Sequence, residues 1–181
     1  SRLLSLLEKD MKFFFVIFDG MSLEEATILV DELRSRGRKV DFETCIAIIP
    51  PITIYSRNSI FAGMLPSDIE RDSDLGSRYL ENNQGERLLL LQFFTSRKIS
   101  RDFEYFNFGS LGSENRTKLR EALKKHKVVA MVLRLVDVYL TSAPKAELDK
   151  SMMRGIFKTA LEKTEILGAL EDALDSGFRL I

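Results

Sequence analysis

The chain has 181 residues, 45% hydrophobic and 30% charged, with 27 basic and 27 acidic side chains and a formal net charge of +0. Length and composition are those of one globular domain with a sizeable core. The balance leaves no evident nucleic-acid patch and no acidic tail. The single cysteine, Cys45, rules out a disulfide framework within the chain and fits a reducing, cytoplasmic setting. No apolar run approaches the roughly 18 residues that cross a bilayer, so no membrane association is expected.

Residues 2–9 read as a short helix with Leu3, Leu4, Leu6 and Leu7 on one side. Residues 12–18 form an apolar run without alternation, the pattern of a central parallel strand covered on both faces. It ends on Asp19-Gly20. Ser22 then caps a helix: Glu25, three residues on, completes a capping box. Gly37 is placed to stop that helix in the left-handed conformation. Residues 44–49 read as a second buried strand, halted by Pro50-Pro51. Helix resumes near Ile54 and runs to Ala62, with Gly63 as breaker.

Residues 66–86 are polar and read as loop, with one helical turn allowed within it. Leu88–Phe94 reads as an apolar strand, and residues 101–113 as a short aromatic strand and loop. Ser113 caps a helix to about Lys125. Its basic end, Lys124-Lys125-His126-Lys127, reads as solvated cations at a helix C-terminus. Val128–Leu140 is the longest apolar run, broken by Arg134 and Asp137. Residues 145–176 are one long helix or two abutting ones, Gly177 ends them, and Phe178–Ile181 begins a strand. Strands alternating with helices predict an α/β fold, a three-layer sandwich around a mostly parallel sheet. One domain over residues 1–181 is expected, with an insertion or cap around 66–113.

Chemistry concentrates at strand ends, where ligands sit in open α/β sheets. Asp19 is a metal ligand, a catalytic base or simply a turn acid. Thr53 is a natural N-cap. The same position is an anion site and offers a hydroxyl nucleophile, with Ser56 as the alternative. Arg57 and Asn58 either contact phosphate oxygens or are surface polar residues. Asp137, deep in an apolar run, needs a partner, a metal or a strand end. His126, the one histidine, belongs to the basic helix end, and Cys45 reads as a structural thiol. There is no G-x-x-x-x-G-K-[ST] or G-x-G-x-x-G motif, and Asp19-Gly20-Met21 lacks the second acid of an Asp-x-Asp phosphatase loop.

Two segments together resemble a family. The run Val16-Ile17-Phe18-Asp19-Gly20-Met21, followed by Ile49-Pro50-Pro51-Ile52-Thr53 and onward through Pro66-Ser67-Asp68-Ile69-Glu70, is similar to the PglZ domain of the alkaline phosphatase superfamily. Such domains occur in phage-exclusion systems and in response regulators of the PorX type. The resemblance implies a phosphate mono- or diesterase using a divalent metal, commonly zinc at two sites. It implies Asp19 as metal ligand and Thr53 as nucleophile and metal contact. Arg57 and Asn58 become supports of the phosphoryl group, and Asp137 a ligand of the second metal. A phosphate ester or nucleotide is then the substrate, and defence or signalling proteins are partners. Two departures qualify the pattern. No histidine follows Asp137 in Val138-Tyr139-Leu140-Thr141, and the superfamily's Asp-His pair falls where Phe178–Ile181 would lead. The metal site is therefore expected to be incomplete in this chain. The alternative is a non-catalytic or degenerate regulatory or scaffold domain.

Overall fold

The computed structural model describes residues 11–44, 52–72, 75, 85–98, 102–134 and 150–181. The proposed helix at 2–9, nearly all of the strand at 44–49, Cys45 and Asp137 lie outside these residues. The chain divides into two compact units, one over Thr44–Arg101 and the other over Lys9–Glu43 with Asp102–Ile181. In chain order the elements are β1 (Phe13–Phe18), α1 (Leu23–Ser35), α2 (Thr53–Ala62), α3 (Pro66–Arg71), α4 (Glu86–Ser96), β2 (Phe103–Phe108), α5 (Ser113–Lys125), β3 (Val128–Leu133), α6 (Lys150–Lys163), α7 (Ile166–Asp175) and β4 (Arg179–Leu180).

The second unit holds the sheet. Its order is β2-β3-β1-β4, and every pairing is parallel. The fold is α/β with a parallel sheet, as the alternation of elements predicts. All six residues of β3 are buried, as an unalternating Val-Val-Ala-Met-Val-Leu run requires in a parallel sheet. Phe14, Val129, Met131 and Leu133 face one core shared with Leu29 and Leu33 of α1, Leu119 and Leu123 of α5, Phe157 of α6 and Leu170 of α7. The capping box of α1 is complete: Ser22 N–H donates to Glu25 Oε2 at 2.6 Å and Glu25 N–H to Ser22 Oγ at 3.4 Å.

An ionic clamp joins α5 to α7. Arg116 donates through Nε to Asp172 Oδ2 at 2.7 Å and through Nη1 to Glu165 Oε2 at 2.5 Å. Arg120 adds two hydrogen bonds to the same Asp172 carboxylate, at 2.7 and 2.9 Å. Gly168 is what lets the guanidinium lie on α7, since a Cβ there would run into Arg116, which donates instead to Gly168 O at 3.1 Å. Burial alone pushes the Asp172 carboxyl up, but the guanidinium hydrogen bonds from Arg116 and Arg120 outweigh it and lower it from 3.8 to about 2.

The first unit corrects one expectation. Leu88–Phe94 lies within helix α4, not in a strand. The apolar run has no β-branched residue, and leucine is a strong helix former. Helical spacing buries Leu89 and Leu90 with Phe93 and Phe94 on one side. Residues 66–71, within a segment read as loop, form α3, with Pro66 at the helix start where its missing N–H costs nothing. Gly63 closes α2 with φ 62°, and a Cβ on it would lie 2.6 Å from Phe93 Cε2 of α4.

Gly63→Ala therefore combines a left-handed backbone with a clash against a buried ring. It is expected to lower stability by about 2–4 kcal/mol in urea unfolding; a loss below about 1 kcal/mol would contradict this contact. The Asp172 clamp predicts a pH dependence. A carboxyl depressed in the folded state contributes stability above its unfolded pKa, and loses it as pH falls through the folded value. The stability difference between the native chain and Asp172→Asn should be constant near neutrality. It should shrink as pH falls from about 4 to about 2, and a difference independent of pH would refute the clamp's charge.

Candidate functional site

Parallel strands place all their carboxyl ends on one edge of the sheet. Asp19 sits there, one residue past β1, with its N–H donating to Leu133 O at 2.9 Å. Its side chain is largely buried, 9% exposed, and Gly20 turns the chain at φ 75° towards the Ser22 cap. Because Phe18 pairs with Leu133, Asp19 stands beside Arg134, one step beyond the paired residues. Position and burial suit a ligand-facing acid.

Thr53, Arg57 and Asn58 belong to the other unit, on α2. The N-cap of α2 is Ile52, in extended conformation and without a side-chain capping bond; Thr53 is already the first helical residue. This corrects the N-cap reading of Thr53 by one position. Helix begins one residue earlier than expected, so the Thr53 hydroxyl is exposed and is not used as a cap. The first intrahelical bond at this end runs from Ser56 N–H to Ile52 O at 3.0 Å. The N–H groups of the first turn lie before it and have no partner within the helix.

Arg57 and Asn58 are not surface residues. Arg57 is 3% exposed and Asn58 0%. The Arg57 guanidinium is held by Glu86, with Nε donating at 2.6 Å and Nη2 at 2.5 Å to Glu86 Oε1. The Glu86 side chain is itself fully buried. Glu86 is the site-region residue that sequence reasoning missed. It falls at the end of a polar segment read as loop, and its signal was its place as the first acid of a leucine-rich helix, where the helix dipole favours it. A guanidinium so engaged reaches a phosphoryl group only through its other N–H groups or by giving up the pair.

His126 lies at the opposite edge of the sheet from Asp19. It caps α5 and precedes β3. Eight residue steps along β3 separate its level from that of Asp19, a distance of roughly 25 Å. Its Nδ1 is 2.9 Å from Asp102 Oδ2, and its Nε2 is 3.9 Å from Glu104 Oε2. The two carboxylates approach opposite ring nitrogens, so the three side chains do not converge on one cation. Among the described residues no group of three or more His, Cys, Asp or Glu side chains could hold a metal ion. The donor set described does not fit the two-metal centre that the resemblance implies.

The Arg57–Glu86 pair generates a stability prediction. Arg57→Ala removes the charged partner at 2.6 Å from a buried carboxylate and should cost about 3–5 kcal/mol. Replacing both residues, as Arg57→Met with Glu86→Leu, should recover most of that loss in urea unfolding. A double variant as unstable as the single one would show that the pair is not an isolated ionic unit.

Comparison with known proteins agrees with these features. The sequence matches PglZ, described as the BREX system PglZ alkaline phosphatase-like domain, over residues 2–176. No curated protein matches it. No helix among the described residues is long and apolar enough to cross a membrane. With a parallel α/β sheet, an acid at the end of its first strand and a match spanning nearly the whole sequence, the chain belongs to the PglZ family.

Proposed function

We propose that these 181 residues act as a non-catalytic or degenerate PglZ-like domain, regulatory or scaffolding, in a signalling or phage-defence system of the cytoplasm. The observation that carries this reading is the place of the one histidine. Alkaline phosphatase-like sites need nitrogen and oxygen donors around the strand-end acid. Here His126 stands at the far edge of the sheet, bound to Asp102. Two separate features make it the wrong donor: the distance along the strands and the acid already on its ring. What the chain retains is the fold and an acid at the carboxyl edge. Those suffice for docking a partner but not for activating a hydroxyl.

The catalytic reading rests on a different observation. Thr53 is exposed at the first position of α2, with its hydroxyl uncommitted to capping. In that reading Thr53 is the nucleophile, Asp19 and Asp137 are metal ligands, Arg57 and Asn58 steady the phosphoryl group, and zinc is the metal. A phosphate mono- or diester, or a nucleotide, is the substrate.

Hydrolysis of p-nitrophenyl phosphate and bis-p-nitrophenyl phosphate, with zinc or manganese added, separates the two. The regulatory reading predicts turnover no greater than that of metal and buffer alone, unchanged by Thr53→Ala or Asp19→Asn. Turnover that disappears in Thr53→Ala, with the circular dichroism spectrum intact, would establish the catalytic reading instead.

A further inference from the structure

The parallel sheet also gathers the amino ends of its strands on one edge. Residues far apart in sequence meet there. Phe13 N–H donates to Lys127 O and Arg179 N–H to Lys12 O, each at 2.9 Å. Lys127, Lys12 and Arg179 therefore follow one another across three adjacent strand starts. The last turn of α5 adds Lys124 and Lys125 directly before β3. Lys12, Lys124, Lys125 and Lys127 are exposed, and Arg179 is half-buried. Lys12 Nζ reaches back to Ser176 O at 3.4 Å and lies 5.3 Å from the Phe178 ring centroid, contacts that leave its charge unneutralised.

Among the described residues, the acids beside this edge have other partners or point away from it. Asp102 and Glu104, at the start of β2, face His126. Asp175, at the end of α7, is bound by Arg38 at 2.8 Å. Glu121 lies one helical turn up α5, away from the edge. A helix C-terminus explains Lys124 and Lys125 by its dipole, but strand starts have no such need for Lys12 and Arg179.

We infer that this amino-terminal edge is a binding surface for the phosphate backbone of duplex nucleic acid. The choice of partner follows from what surrounds the cations. Protein interfaces centre on apolar and aromatic side chains, and membrane-surface binding needs an apolar face to insert. None of the exposed large hydrophobic residues lies among Lys12, Lys124–Lys127 or Ser176–Arg179; Phe178 there is 3% exposed. A lysine-rich edge that exposes no large apolar side chain among the described residues matches sequence-independent phosphate contact, driven by counterion release. The surface lies at the opposite edge from Asp19, and its role does not depend on whether the Thr53 region is catalytic.

Fluorescence anisotropy with a short labelled DNA duplex tests this on the 181-residue chain. The native chain should bind at about 50 mM salt and lose roughly tenfold or more in affinity by about 200 mM. Lys12→Gln with Lys124→Gln and Lys125→Gln should weaken low-salt binding at least tenfold. It should also flatten the log K against log salt slope by about 2–3. Arg154→Gln with Lys158→Gln and Lys163→Gln, the same charge change on α6, should leave both unchanged. If the triple variant melts early, Lys125→Gln alone should flatten the slope by about 1. The inference fails if the native chain does not bind the duplex, or if the edge variant binds like the native chain. It fails equally if polyglutamate or anionic phosphatidylglycerol vesicles bind more tightly than the duplex, which would assign the edge to an acidic protein or a membrane.

Discussion

Parallel strand direction is the constraint from which the rest of this molecule follows. β1, β2, β3 and β4 all run the same way, so every carboxyl end lies on one edge and every amino end on the other. Asp19 is delivered to the first edge by the buried ladder between β1 and β3. His126 is delivered to the second by the same ladder, because it precedes β3 while Asp19 follows β1. No side-chain rotation brings the two together across the length of the strands. The core that holds this geometry is a single apolar cluster shared by α1, α5, α6 and α7 with one face of the sheet.

Charged groups do different work in the two units. In the sheet unit, Arg116 and Arg120 close on Asp172 at a partly exposed helix–helix contact, where screening limits what each bond contributes. In the helical unit, Arg57 and Glu86 are both buried. A pair of that kind adds little net stability over a well-packed apolar pair, yet losing one partner is severe. Its consequence is positional: it ties the middle of α2 to the first turn of α4. Thr53 lies one turn before Arg57 on the same face of α2, so this buried pair sets how the first turn of α2 is presented.

Much of this was legible in the residues. The unalternating Phe13–Phe18 run, the Ser22–Glu25 box and the stops at Gly37, Gly63 and Gly177 each carry a local physical cause, and the structure keeps them. Asp19 at a strand's carboxyl end needed only the strand and the turn. Leu88–Phe94 failed because a short apolar run has no period of its own, and a buried helix and a buried strand look alike over seven residues. Thr53 failed as a cap by one residue, the usual uncertainty of a helix boundary. Glu86 and the Asp102–His126 contact were invisible for another reason: both depend on residues more than twenty positions apart. The cationic edge is the clearest case, since Lys12, Lys127 and Arg179 become neighbours only once the strand order β3-β1-β4 is known.

Belonging to the PglZ family sets the fold, and the donor geometry decides what the fold retains. The central claim is that Asp19 and His126 stand at opposite edges and share no metal. Zinc titration followed by calorimetry, with the single imidazole watched by nuclear magnetic resonance, measures it directly. Donors held at opposite edges should give no stoichiometric site of micromolar affinity or tighter, and a His126 signal unmoved by zinc. A tight stoichiometric site that shifts His126 and is abolished by Asp19→Ala would contradict it.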